Sequence, residues 1–345
     1  MEKPPGVASA SSFLTNIPLL DLPQKEIVNF AKKIFNGSSR DLLFRVETDL
    51  SECQLLWEEF SPNESLFDLW DFRLAFWRGY QYHPYFITLS FQEKVISILP
   101  LWFDKEDNQY TWFGGSWPDE NTFFTKSAKT IPLLLKLIPG KTRLFCIRSQ
   151  EGITDRGSFL EADEEKYILD LKNFSSLDDF WGTLKKKKRY NLKRDWKRIQ
   201  ALKPEIIVND FSHLENLFKL NIDRFEEMVL DDNKSTFLSK EKQQTFKEII
   251  NLAKDYQVRM VSTKIDGKVV AVDLVALYHQ TYYCLAGGCD VENYSGLGSF
   301  ANLQLIKDAI ELENVDLIDF LQGDVNWKAS WRLGTRPLFK FTKDA

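Results

Sequence analysis

Residues 257–289 read QVRMVSTKIDGKVVAVDLVALYHQTYYCLAGGC, and this stretch restricts the fold more than any other. β-Branched, aromatic and other apolar residues flank Asp266-Gly267, a pair suited to the positive φ angles of a type I′ hairpin turn. A second tight connection at His279-Gln280 turns the chain again, so three antiparallel strands follow one another. The glycine-containing loop YSGLGS then leads into the helical pattern FANLQLIKDAIEL and one more strand, VDLIDFL. A strand reached through such a crossover helix is expected to lie parallel to the one before it. The chain is therefore expected to be α/β (α+β), with a mixed, mostly antiparallel sheet and flanking helices.

A length of 345 residues allows two ordinary domains. The pattern breaks near residue 173, which suggests an N-terminal half over 1–172 and a C-terminal half over 173–345. The first half offers a helical opening, QKEIVNFAKKIF, and a Trp- and Phe-rich helical stretch from Leu55 to Trp77. Strands YFITLSF, KVISILPLWF and QYTWFGG follow, then a helix at TIPLLLKLI and strands at TRLFCIRS and KYILDL. The second half adds helices at SHLENLFKLNIDRFEEMV and SKEKQQTFKEIINLAKD before the hairpin.

Several function classes are excluded on composition. Four cysteines and three histidines are too few and too scattered for a disulfide framework or a zinc cluster, so no metal is expected. Ser-His-Asp hydrolysis finds no support: there is no G-x-S-x-G, and His83, His213 and His279 stand apart. No segment approaches the roughly 18 apolar residues of a membrane span. The N-terminus lacks the basic flank and apolar centre of a signal peptide, and a cytoplasmic, thiol-reducing setting fits best.

The chain carries a formal net charge of -5, yet WGTLKKKKRYNLKRDWKRIQ, residues 181–200, holds nine basic side chains against one acid, Asp195. At about 100° per residue, Trp181, Leu184, Lys188, Leu192, Trp196 and Ile199 share one sector of a helix, with most of the bases on the outer arc. Lys188 lies inside the apolar sector, where an ammonium needs a partner or a solvated cleft. Lys185 borders it. Both suit an anionic acceptor group in a cleft between the halves, while the outer arc suits solvent, RNA or an anionic membrane surface.

Gly296 and Gly298 stand between an expected strand and an expected helix, where free main-chain N–H groups and the helix dipole favour an anion. The loop matches neither the dinucleotide nor the P-loop signature. Its context, AGGCDVENYSGLGSFANLQLIKDAI followed by IDFLQGDVNWKASW, resembles the GNAT-like acetyltransferases associated with cellulose and other exopolysaccharide biosynthesis, the CelD-like type. Asp319, Phe320, Gly323, Asp324, Lys328 and Trp331 match that group's D-F-x-x-G-D-x-x-x-K-x-x-W pattern. The sequence also looks like the Fem-type transferases, built of two tandem GNAT-like halves with basic helices between them.

The resemblance implies tandem GNAT-like domains, with acyl-CoA (acetyl-CoA) as co-substrate and its pyrophosphate on Ser295, Gly296, Leu297, Gly298 and Ser299. It implies acyl transfer to an amine of a sugar, amino acid or cell-envelope precursor. The alternatives are a Fem-like transfer from aminoacyl-tRNA and a non-catalytic scaffold binding an anionic polymer. Transfer to an amine needs a proton acceptor, for which the candidates are Asp324, Asp290 and Asp319. Asp324 stands first because it follows Gly323 at a strand end, although an N-cap serves it equally well. Lys328, one turn on, suits an oxyanion or thiolate, or a surface salt bridge with Asp324. Lys185, Lys188, Arg189, Arg224 and Asp319 are candidate acceptor-binding residues. Many GNAT enzymes protonate the departing thiolate with a Tyr after the fourth strand, and no Tyr follows Tyr294 here.

Overall fold

The computed structural model describes residues 42–125, 127–149, 159–227, 235–323 and 327–344, together with the short strand Thr15–Asn16. The expected helix QKEIVNFAKKIF lies outside the described residues. The chain divides into two compact units, the first comprising residues 1–77, 81–164 and 337–345 and the second residues 78–80 and 165–336. Each is a mostly antiparallel sheet with helices, as the sequence led us to expect.

The boundaries of these units differ from the division read in the sequence. Lys166–Asp170, assigned from sequence to the first half, pairs with Leu317–Gln322 in the second sheet. The last strand, Leu338–Lys343, pairs with Thr142–Arg148 in the first. A division at 172/173 therefore misplaces both. Alternation identifies a strand, but the identity of its neighbour is a tertiary property that local pattern does not carry.

In the first unit the helical stretch expected from Leu55 to Trp77 is broken into Leu50–Phe60 and Trp70–Tyr80. Asn63 takes a positive φ of 52°, and Asp68 Oδ2 accepts from the main-chain N–H groups of Glu64 and Ser65, both at 3.0 Å. Pro62 and these local bonds outcompete helix continuation. Trp57, Trp70, Phe86, Phe113 and Phe124 pack behind the break. The buried guanidinium of Arg73 donates to Phe67 O, Phe113 O, Glu120 O and Asn121 Oδ1. Burial lowers its pKa to about 9.

Among the described residues this sheet has one parallel contact between strands, Tyr110↔Thr142, and those two strands pair with each other nowhere else. The space beyond is closed by the chain itself. Asn121 N donates to Cys146 O and Arg148 N to Asn121 O, both at 2.8 Å, while the Asn121 side chain donates to Phe145 O.

Among the described residues the sheet of the second unit has seven strands in the order Glu205–Val208, Gln257–Ile265, Lys268–Tyr278, Thr281–Cys289, Leu317–Gln322, Lys166–Asp170, Gly334–Arg336. Asp266 and Gly267 both take positive φ, as the type I′ reading requires, and so does His279 at the next turn. The crossover helix is Leu297–Glu311, and the strand after it is parallel to the one before. Arg259 forks onto Asp308 with two bonds of 2.7 Å, and Tyr282 Oη donates to Asp308 Oδ2, which pins this helix to the sheet.

The basic segment is two helices rather than one. A capping box between Ser176 and Asp179 starts Leu177–Thr183, the chain straightens at Leu184 and Lys185, and the basic helix proper is Lys186–Gln200. Trp181 therefore belongs to the earlier helix. Leu192 and Ile199 are the buried residues of the basic helix, and the Trp196 ring packs tilted against Phe300 with centroids 4.7 Å apart.

Candidate active site

The site begins where a ladder stops. Thr281–Cys289 and Leu317–Gln322 are paired through Thr281↔Leu317, Tyr282↔Ile318 and Tyr283↔Asp319, and through no later residue. Beyond that point each strand keeps only its outer neighbour, Lys268–Tyr278 on one side and Lys166–Asp170 on the other. A bulge at Leu285 helps turn the first strand away. Cys284, Ala286 and Gly287 along the separated edge are half-buried rather than sealed.

At this opening the chain enters the crossover helix. Gly296 is its N-cap, with φ of 94°, and no side chain caps the helix. Leu297 N donates to Tyr294 O, whereas the N–H groups of Gly298 and Ser299 have no acceptor among the described residues. Two free amides at the positive end of a four-turn helix are a favourable place for an anion. The loop abuts the basic helix. Arg198 Nη1 donates to Ser295 Oγ at 2.9 Å, and a Cβ at Gly296 would stand 2.9 Å from Asp195 Cβ.

Asp273 lies on the next strand, opposite Gly287. Its carboxylate leans over the Gly287 Cα, into the volume a side chain there would take. It has no hydrogen-bond partner among the described residues and is half-buried. Burial pushes its pKa up to about 7, against a smaller lowering by the Arg224 guanidinium. Arg224 also reaches Cys289, whose thiol burial pushes up to about 11. From the same helix, Asn221 Nδ2 donates to Gly287 O at 2.7 Å and is itself fixed by Ser235 Oγ.

On the far side of the opening, Asp319 Oδ2 pairs with Lys166 Nζ at 2.6 Å, both side chains almost fully buried, and its Oδ1 accepts from Leu321 N. Lys328 Nζ donates to Leu321 O and Gln322 O and lies 5.5 Å over the Tyr167 ring. It is 6% exposed, so it is a buried side chain rather than a surface one. Lys328 thus grips the end of a strand that leaves its regular path at Leu321, φ 63°. Asp324 lies outside the described residues. Asp290 is occupied in its own turn, accepting from Asn293 N and from Asn293 Nδ2.

The bases expected to face a cleft divide among several environments. Lys188 is half-buried with its ammonium 5.9 Å over the Trp331 ring, and burial lowers its pKa. Lys185 is exposed just before the helix, and Arg189 Nη1 makes a long contact to Trp181 O. Among the described residues no group of three or more His, Cys, Asp or Glu is placed to hold a metal ion.

Two residues of this site escape a reading of the sequence. Asp273 is the sole acid in VVAVDLVALY, and that isolation within an apolar strand is the signal that could have found it. Lys166 follows two glutamates in EEKYILD and reads as part of a solvated turn. The histidines need a correction: His213 Nδ1 lies 3.0 Å from Ser262 Oγ, and its Nε2 lies 3.6 Å from Asp210 Oδ2. Ser262 is 1% exposed, so no substrate reaches its hydroxyl.

Comparison with known proteins agrees with this geometry. Residues 186–329 match the family profile described as Acetyltransferase (GNAT) domain, from the start of the basic helix to just past Lys328. No curated protein sequence matches significantly. Among solved structures the chain is similar to FemX, with a TM-score of 0.52 and 11% identity over 87% of this chain and 97% of that one. It is similar to L-PGS from Bacillus licheniformis, at 0.52 and 13% identity over 86% and 92%. A tandem GNAT protein from the clavulanic acid biosynthesis pathway gives 0.50 and 10% identity over 87% and 98%. These likenesses show a shared fold, and with the profile match they support an N-acyltransferase. No helix among the described residues is long and apolar enough to cross a membrane.

Proposed function

We propose that the second unit binds an acyl-CoA in the opening between Thr281–Cys289 and Leu317–Gln322 and transfers the acyl group to an amine. The observation that carries this reading is the ladder that ends at Tyr283↔Asp319 beside a helix N-terminus with unbonded amides. The donor's pyrophosphate would sit on Gly298 N and Ser299 N, with Arg198 adding positive charge at the Ser295 end of the loop. Its pantetheine amides would pair with the separated strand edge as an added strand does. The thioester would then lie near Cys284 and Gly287, within reach of Asp273.

Asp273 is the proton acceptor in this account. An amine of pKa near 10.4 is almost wholly protonated at pH 7, and a nearby carboxylate poised near that pH is well matched to take its proton. Asp273 first takes the ammonium proton and releases it to solvent; the neutral nitrogen then attacks the thioester carbonyl, its second proton passes to Asp273, the C–S bond breaks, and the thiolate is protonated from solvent. Lys328 and the Lys166–Asp319 pair hold the opposite wall in place. Asp290 serves the turn before the loop rather than the chemistry. The acceptor class remains an amine of a sugar, amino acid or cell-envelope precursor, as the CelD-like resemblance implies, with Arg224 and Lys188 available to an acidic group on it.

A thermal-shift series with CoA, acetyl-CoA and long-chain acyl-CoAs tests the donor, since a ligand well above its dissociation constant stabilises a fold by a few kcal/mol. Thiol release from the best donor with amine acceptors tests the reaction, and Asp273→Asn should abolish release while retaining the shift. Absence of any shift, together with salt-sensitive binding of aminoacyl-tRNA, would replace this reading with the Fem-like one.

A further inference from the structure

We propose that the exposed arc of the basic helix Lys186–Gln200 docks this protein on an anionic lipid surface. The inference does not depend on the acyl-transfer reading. At 100° per residue, Lys186, Lys187, Tyr190, Arg194, Lys197 and Arg198 fall within an arc of about 120°. All six are exposed, and Tyr190, near the middle of the arc, is 69% exposed. The opposite side of the helix, with Lys188, Leu192, Trp196 and Ile199, is packed against the unit's own core.

The bases of this helix are not equally available. Arg194 donates to Asp195, Arg198 to Ser295, and Lys193 lies 3.7 Å from Asp178 and 5.5 Å over Trp181. The side-chain ammonium groups of Lys186, Lys187 and Lys197 have no hydrogen bond or ion pair with any described residue. The arginines, whose flat forks suit bidentate phosphate and base recognition, are thus turned toward protein partners. What remains is a set of hydrated ammonium groups on long stems around one aromatic ring. Point charges of this kind gain from the diffuse potential of anionic headgroups, and a Tyr ring with its hydroxyl suits the headgroup level. The helix lies on such a surface without inserting, because its apolar side is already occupied.

Sedimentation of the full chain with vesicles of phosphatidylcholine, with and without an equal part of phosphatidylglycerol, tests this. Binding is expected to the anionic vesicles only and to be lost in high salt. The variant K186Q/K187Q/K197Q should melt as the unaltered protein does and bind those vesicles about a hundredfold more weakly, roughly fivefold for each lysine. Tyr190→Ser should give a smaller loss. Equal partition to both vesicle types, an unchanged triple variant, or binding to structured RNA that exceeds vesicle binding and is what the triple variant loses would each overturn the proposal.

Discussion

Asp273 and Gly287 face each other across two neighbouring strands, and the carboxylate of the first fills the volume that a side chain on the second would need. Glycine at 287 is thus a condition for an acid at 273 to turn toward the opening. Gly287→Ala should displace the carboxylate, lower the acyl-transfer rate and destabilise the fold by about 1–3 kcal/mol, the usual range for overpacking. Removing the acid as well, in Asp273→Ala/Gly287→Ala, should restore most of the stability and none of the activity. Urea unfolding of the four proteins gives the coupling energy directly.

The raised pKa of Asp273 has two consequences of opposite sign. As a base it works only when ionised, so kcat/KM should rise with pH through about 7. The same carboxyl binds its proton more tightly in the folded state than in the unfolded chain. Its contribution to stability is therefore fully present below the ordinary Asp range and lost as pH rises through about 7. Asp273→Asn should flatten that part of the stability profile and remove the corresponding limb of the rate profile. Melting temperatures and initial rates between pH 5 and 9 read both.

The Lys166–Asp319 pair is almost completely out of solvent. Removing one partner leaves the other as a buried, uncompensated charge, which typically costs 3–5 kcal/mol. Lys166→Met or Asp319→Leu alone should therefore be strongly destabilising, and the double substitution much less so. Chemical denaturation of the three variants checks this ordering.

Much of the second unit's topology is legible in the sequence because its turns are local. Asp266-Gly267 and His279-Gln280 announce themselves, and a crossover helix leaves the next strand little choice but to run parallel. The loop at 295–299 is legible for the same reason. What the sequence conceals is pairing between distant segments. Lys166 becomes a site residue only because its strand joins Leu317–Gln322, and nothing near EEKYILD indicates this. Asp273 is hidden differently: its role depends on the glycine opposite and on a ladder that ends one strand away. The break in the basic segment at Leu184 was obscured by a helical periodicity that continues across it.

Hydrogen–deuterium exchange of the full chain with and without saturating CoA tests the donor site most directly. The account expects new protection in peptides covering residues 284–300, where the separated strand edge and the free amides of Gly298 and Ser299 lie, and none over 110–148, where Asn121 already closes the corresponding space. Protection confined to the first unit, or CoA binding that leaves residues 284–300 unchanged, would contradict it.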